Sequence, residues 1–363
     1  MKPFCYLLLV FLCYLNSIAQ EPTPKPTEID VNYFQGNIIR HSTDIAHLIT
    51  GRPQGVIINY NRKTYGLNVW ERRYNYPDWG FSLLYQDFDN EFVGDIASIN
   101  AHYTFYLLKR KFLFRVGQGI ALATNPFDIE TNIRNNAFGS RLLSSTFFQI
   151  NYKQQLFEKI GFQAGITLTH FSNGSIRAPN TGLNTIAFNF GVHYKIEESP
   201  KYIDKGDDPF KKERIHYNFL FSSGVNETDI VGLGQRPFYI FTAFADKRLS
   251  HKSSIQLGAE AFFSLFLIDQ IRFEATALPR LGTTGDEDYR RIGVFVGHEL
   301  HFARTSVITQ VGYYAYYPFD FVSRVYLRAG LKRTFGKKLF GSVAIRAHGA
   351  NAEALEFGAG IRL

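Results

Sequence analysis

The chain is poor in sulfur. Of its 363 residues one is methionine and two are cysteine, and both cysteines, Cys5 and Cys13, fall in the first 19. That opening, "MKPFCYLLLVFLCYLNSIA", has one lysine, an apolar run from Tyr6 to Leu15, and small residues at Ser17 and Ala19. It reads as a secretory signal (1–19) cut before Gln20, because the apolar run is too short to span a bilayer. Cys13 would suit a lipoprotein signal, but Leu12 before it is bulky where a small residue is wanted. Residues 20–363 then hold no cysteine, which excludes a disulfide scaffold, a thiolate nucleophile and a thiolate metal site. No later stretch of 18 apolar residues exists, so no helix is expected to cross a membrane, and no amphipathic helix of useful length stands out. His, Asp and Glu do not cluster at ligand spacing and no glycine-rich phosphate loop follows a strand, so no metal and no cofactor is expected. "GLGQRP" and "GTTGDEDYRR" read as plain loops. Loss of Lys2 with the signal takes the formal charge from +8 to +7. Nucleic acid is not the expected partner of an exported chain; anionic lipid head groups or simple solubility account for the excess.

What the chain does have is aromatic residues, 35 Phe and 21 Tyr, set in long alternating runs. In "SSIQLGAEAFFSLF", Ile255, Leu257, Ala259, Ala261, Phe263 and Leu265 share one face, with Phe262 the exception on the other. In "FVSRVYLRAGLKR", Val325, Leu327, Ala329 and Leu331 oppose Arg324, Tyr326, Arg328 and Lys332. Alternation alone would suit a soluble sandwich. Three details favour a transmembrane antiparallel β-barrel of the outer membrane. The strands are long, short turns ("LKRKF", "QQLFEK") alternate with longer polar loops ("DFDNEFVGD", "ATNPFDIETNIRNNAFGS"), and aromatics gather at strand ends, as in "YYAYYPFDF". A barrel needs these because its backbone bonds close between strands, with lipid outside and polar groups inside. The closing "ALEFGAGIRL" alternates too, as a last strand pairing with the first would. The reading is an all-β barrel over 20–363, with 12 to 16 strands and 14 the central value. The polar segment 197–214, "EESPKYIDKGDDPFKKER", divides it into halves 20–196 and 215–363.

The halves resemble one another, by old duplication or by convergent barrel patterning. From Ser145 to His170 is 25 residues, as it is from Ser323 to His348, and each interval ends in His-x-x-Asn: "GITLTHFSN" and "VAIRAHGAN". The registers differ. Phe162, Ala164, Ile166 and Leu168 are followed on the same face by His170 and Ser172, which therefore look outward. Asn184 shares its outward face with Ile186, Phe188, Phe190 and Val192. His348 instead turns inward with Arg346, towards Glu356, and Ala350 stands where a serine would be needed. Three polar groups on a lipid face are costly unless they have a task. The plain alternative is interfacial polar residues satisfied by water at a strand end.

The task suggested is nucleophilic catalysis. A serine hydroxyl needs a neighbouring base, and residues i and i+2 on one strand face bring imidazole within reach of it. Asn184 could hold the other ring nitrogen through its carbonyl, with Asp128 or Glu130 as reserve. The N–H groups of Asn173 and Gly174, with the Asn173 amide, are candidates for an oxyanion hole. At this point "HFSNGSIRAPNTGLN" resembles the active-site segment of the outer-membrane lipid A 3-O-deacylases (PagL-like acyloxyacyl hydrolases), closely over Gly161–Tyr194 and loosely from Val93 onward. The family's His-x-Ser-Asn carries over onto His170, Ser172 and Asn173, implying base, nucleophile and oxyanion support; the family's glutamate falls at Asn184. The resemblance implies removal of an ester-linked acyl chain from lipid A, with lipopolysaccharide and outer-membrane lipids as partners; the strand count puts the loop 173–181 on the outer side, where Arg177 is expected to meet the phosphates. It supplies no role for the second half. Two rivals remain at this stage: a channel lined by Arg324, Arg328, Arg346 and Glu260, and a non-catalytic lipopolysaccharide-binding barrel.

Overall fold

The computed structural model describes residues 26–198, 201–204, 206, 209–349 and 351–363; the expected signal 1–19, its cleavage point and Ala350 lie outside these. The described residues form sixteen long antiparallel strands in two closed barrels of eight, in place of the single barrel of about fourteen. The first barrel is β1 (Thr27–Ile38), β2 (Gln54–Arg62), β3 (Asp78–Asp87), β4 (Asp95–Leu107), β5 (Phe112–Ala123), β6 (Leu142–Gln155), β7 (Ile160–Ser172) and β8 (Leu183–Lys195). The second is β9 (His216–Asn226), β10 (Arg236–Arg248), β11 (Ser253–Ser264), β12 (Arg290–Phe302), β13 (Thr305–Tyr316), β14 (Val325–Phe335), β15 (Leu339–His348) and β16 (Asn351–Arg362). The single-barrel expectation fails because β8 returns to pair with β1, from Glu28–Lys195 to Ile38–Thr185, and leaves no edge for β9. β16 closes on β9 in the same way.

The alternation sets which way each side chain points. Along β3, Phe81, Leu83 and Tyr85 are exposed on the outer wall while Ser82, Leu84 and Gln86 fill the lumen. β14 repeats this, with Val325, Leu327 and Leu331 outside and Tyr326, Arg328 and Lys332 inside. Phe262, the exception in the sequence pattern, sits fully buried among Tyr314 and Tyr326. Eight strands enclose a lumen just wide enough for side chains to fill. In the first barrel Asp30 accepts hydrogen bonds from Arg115, Asn32, Asn59, Asn61 and Gln163, and an apolar plug of Phe34, Phe88, Phe138 and Phe171 closes the end that carries the longer loops. In the second, Arg328 pairs with Glu260 and Glu356, Arg346 with Glu353 and Glu356, and Arg291 with Glu353. The residues of the channel reading are therefore spent on one another, and Arg324 lies before β14, over the Tyr317 ring.

Two helices were not expected. α1 (Val69–Arg73) lies between β2 and β3, and α2 (Phe266–Ala277) between β11 and β12. α2 buries Phe266, Leu267, Gln270 and Ile271, a helical spacing hidden because it continues directly from an alternating strand. No helix of the described residues is long and apolar enough to cross a membrane, which says nothing about crossing by strands. The barrels touch at both ends. Tyr74 donates to the His301 carbonyl at 2.8 Å and stacks on Phe302 at the end carrying the linker. At the other end Glu227 N–H donates to the Ser175 carbonyl and Gln235 Nε2 to that of Ile176.

Candidate active site

Three outward residues come together where β7 ends. Thr169 and Phe171 face the lumen, fully buried, so His170 and Ser172 must face out. Cross-strand pairing sets Asn184 of β8 directly opposite His170. The side chains form a hydrogen-bonded row: Ser172 Oγ lies 3.0 Å from His170 Nε2, and His170 Nδ1 lies 2.7 Å from Asn184 Oδ1. One neutral tautomer satisfies both contacts, with Nδ1–H donating to the asparagine carbonyl and Nε2 accepting from the serine hydroxyl. The row is built as a serine nucleophile, a base and an orienting acceptor would be.

Ser172 is nonetheless buried, because the β7–β8 loop folds back over it. Gly182 makes that possible. It has φ +68°, and a Cβ there would stand 3.1 Å from Ser172 Cβ and 3.0 Å from the Phe171 carbonyl. A side chain would press on Ser172. Asn173 holds the loop in shape: its N–H donates to Asn180 Oδ1 at 2.7 Å and its Nδ2 to the Arg177 carbonyl at 2.7 Å. The Asn173 N–H expected in the oxyanion hole is therefore already committed. The Gly174 N–H makes no hydrogen bond among the described residues, and one proton of Asn173 Nδ2 is left over. Arg177 is exposed at the rim. Asp128 is not near the imidazole; it closes its own loop, accepting from Thr131 N–H and Oγ1 and from Glu130 N–H, and these bonds hold its carboxyl below the usual range.

His348 ends the seventh strand of the second barrel, as His170 ends that of the first. It points inward, with Nε2 2.5 Å from Glu353 Oε2 and Nδ1 3.1 Å from the Val325 carbonyl. Its carboxylate partner is thus Glu353, three residues before the Glu356 that the register suggested, where the β15–β16 register shifts. A cavity of about 300 Å³ lies at this end, lined by Ser175, Glu227, His348 and Glu353 among others, and does not include Ser172. No group of residues suited to a metal ion occurs among the described residues.

Sequence reasoning missed His41. Barrel closure brings it in: Ile39 N–H donates to the Asn184 carbonyl where β1 meets β8, and His41 then lies with Nδ1 3.3 Å from Asn184 Nδ2. Only the pairing of first strand with last could have revealed it.

The class to which the chain belongs is that of the β-barrel ester hydrolases. Within it, two family models match the chain in tandem, "Lipid A 3-O-deacylase (PagL)" over 54–193 and "Acyloxyacyl hydrolase, C-terminal domain" over 215–363, and the chain belongs to this family of outer-membrane enzymes. Among solved structures, the crystal structure of the outer membrane enzyme PagL is 14% identical, with 45% of this chain and 97% of that chain covered and a TM-score of 0.33. A triple mutant of Rhodopseudomonas blastica porin is 10% identical over 93% of this chain and 99% of its own, with a TM-score of 0.19. No curated protein matches the chain.

Proposed function

We propose that the protein is a serine esterase that removes an ester-linked acyl chain from lipid A in the outer leaflet. The observation that carries this reading is the outward row Ser172–His170–Asn184, with contacts of 3.0 and 2.7 Å, set at the end of the exposed apolar faces of β7 and β8 and beside the outward polar group of Ser144, Thr146 and Gln118. An esterase for soluble substrates would put such a row in a cleft; a substrate held in lipid must be met from the barrel's outside. Ile186, Phe188 and Phe190 lie exposed below Asn184 and form the wall against which acyl chains would rest.

The chemistry follows. Ser172 Oγ attacks the ester carbonyl as His170 Nε2 takes its proton. The carbonyl oxygen, now an anion, is held by the Gly174 N–H and the remaining proton of Asn173 Nδ2. Collapse breaks the bond to the sugar oxygen, which leaves as the hydroxyl after receiving the proton from His170. Water, deprotonated by the same imidazole, then releases the fatty acid from Ser172. Asn184 accepts from Nδ1–H throughout and keeps the basic nitrogen aimed at the serine.

Strand parity supports the choice of leaflet. Both barrels have an even number of strands, so residue 26, the linker and Leu363 lie at one end and the row at the other. An exported chain threads its termini from the periplasm, which turns the row outward. The exposed cations of the first barrel's loops at that end are all arginine (Arg40, Arg52, Arg134, Arg141 and Arg177), the side chain suited to bidentate pairing with phosphate. The test is mass spectrometry of lipid A from cells with wild-type protein, without it, and with Ser172→Ala. Loss of one acyl chain with the wild type alone is expected; identical spectra in all three would overturn the reading.

A further inference from the structure

The asparagine in the row poses a problem that a carboxylate would not. A carboxylate presents an oxygen to the imidazole in either orientation, whereas an amide presents oxygen one way round and N–H the other. Were Asn184 reversed, Nδ2 would donate to His170 Nδ1. The ring would then carry its proton on Nε2 and could not accept from Ser172. Wrong-tautomer failure of this kind costs a serine enzyme about 10⁴-fold.

We infer that His41 is a positioning residue that fixes which way Asn184 faces, and so which nitrogen of His170 is free to act as base; the inference rests on the serine esterase reading. The Thr181 carbonyl can only accept. His41 Nε2 lies 3.1 Å from the Thr181 carbonyl, so that nitrogen carries a proton. In the neutral ring Nδ1 is then an acceptor, and it lies 3.3 Å from Asn184 Nδ2, which donates to it. That sets Asn184 Oδ1 towards His170 Nδ1 at 2.7 Å, which places the proton there and leaves Nε2 to Ser172 at 3.0 Å. One backbone carbonyl thus determines, through the side chains of His41 and Asn184, the state of the base. His41 Nδ1 also lies 3.3 Å from the Ile39 carbonyl, a contact that would want the opposite tautomer. Adopting it would turn an Nε2 lone pair on Thr181 at the shorter distance, so the Thr181 contact prevails.

The parts are held independently of His41. Ile39 is bound to Asn184 by its backbone, and the Thr181 N–H donates to the Asn136 carbonyl, so the ring can be replaced without unzipping the β1–β8 closure. His41→Phe keeps the bulk and removes both nitrogens. The purified variant should show wild-type heat-modifiable migration, unchanged KM and a kcat lowered by about tenfold, the scale of one lost orienting hydrogen bond. In ¹⁵N-histidine spectra the His170 signal should move from the Nδ1–H towards the Nε2–H pattern. The decisive arm is rescue. Asn184→Glu has no wrong way round, so in that background the loss caused by His41→Phe should disappear. Wild-type kcat in His41→Phe overturns the inference. So does a loss that Asn184→Glu leaves in place, because His41 would then only be supporting the loop. Full activity in Ser172→Ala instead overturns the esterase reading beneath it, whatever His41 does.

Discussion

The two barrels are built alike and end their seventh strands alike, yet only one of those ends looks able to do chemistry. β7 delivers His170 outward and is followed by a ten-residue loop, 173–182, whereas β15 delivers His348 inward and β16 starts already at Asn351. His170 faces one acceptor and one hydroxyl donor, so one nitrogen is left to take a proton. His348 faces two acceptors, Glu353 and the Val325 carbonyl, and no hydroxyl donor. A shift of one residue in strand register reverses the face. The barrel is a scaffold, and register and loop length make the site.

The largest test of that comparison is chemical. Ser172→Ala and His170→Ala should each lower deacylation by at least about 1000-fold while leaving barrel migration intact, as removal of a nucleophile or its base does elsewhere. His348→Ala should leave turnover unchanged. Turnover assays on the three purified variants decide it: equal losses in all three would mean that a folding requirement had been read as a site.

Next in size is stability, where the lumens differ. Asp30 in the first barrel is solvated by four amide side chains besides Arg115. Glu353 and Glu356 in the second depend on the guanidinium groups of Arg291, Arg328 and Arg346, with His348 beside Glu353. Arg346→Leu should destabilise the second barrel by about 3–5 kcal/mol, the cost of breaking a buried ion pair from one side, and Arg115→Leu the first by less. Urea titration followed by gel migration measures both. If Arg346→Leu also removes activity at the same urea concentration, the barrels unfold as one unit.

These contrasts also mark what could be read from the chain beforehand. The face taken by His170, Ser172, Asn184 and His348 is a local property: each strand states it in its own alternation, and the short turns state where it stops. Closure is not local. No residue in β8 announces that it will pair with β1 instead of continuing into a larger sheet, and the count of fourteen in one barrel came from that silence. His41 was invisible for the same reason, since its partner lies 143 residues away across the closing seam. The commitment of Asn173 N–H to Asn180 depends on how a loop folds back, which alternation does not encode.

Asn184 sharpens the comparison from within the row. Asn184→Ala should lower kcat by roughly 10- to 1000-fold, the range that orienting and electrostatic groups contribute elsewhere. Asn184→Glu should hold or raise it near neutral pH, because a carboxylate also stabilises the imidazolium. Full activity in Asn184→Ala, measured on purified protein, would place the orienting group elsewhere. Activity in Asn184→Glu but none in the wild type would make the natural chain a binder.

The smallest effect asks whether the second barrel serves the first. Glu227, in the β9–β10 loop, accepts from Ala178 N–H at 3.0 Å through Oε2 and from Gly234 N–H at 3.1 Å through Oε1, so one carboxylate ties the loop over Ser172 to the neighbouring barrel. Ser175 Oγ adds a bond to the Ala352 carbonyl. The loop keeps its own supports when these go: Asn173 still bonds Asn180 and the Arg177 carbonyl, and Gly182 N–H still reaches the Ala137 carbonyl. Glu227→Ala should therefore lower kcat/KM only by about two- to fivefold, less than one fully lost hydrogen bond, because the loop is displaced and not released. Glu227→Gln, which still offers an oxygen to Ala178, should fall between it and the wild type. Steady-state kinetics on a lipid A substrate resolves differences of this size. No change in either variant would leave the second barrel a bystander to catalysis, and a hundredfold loss would make it as much a part of the site's support as β8.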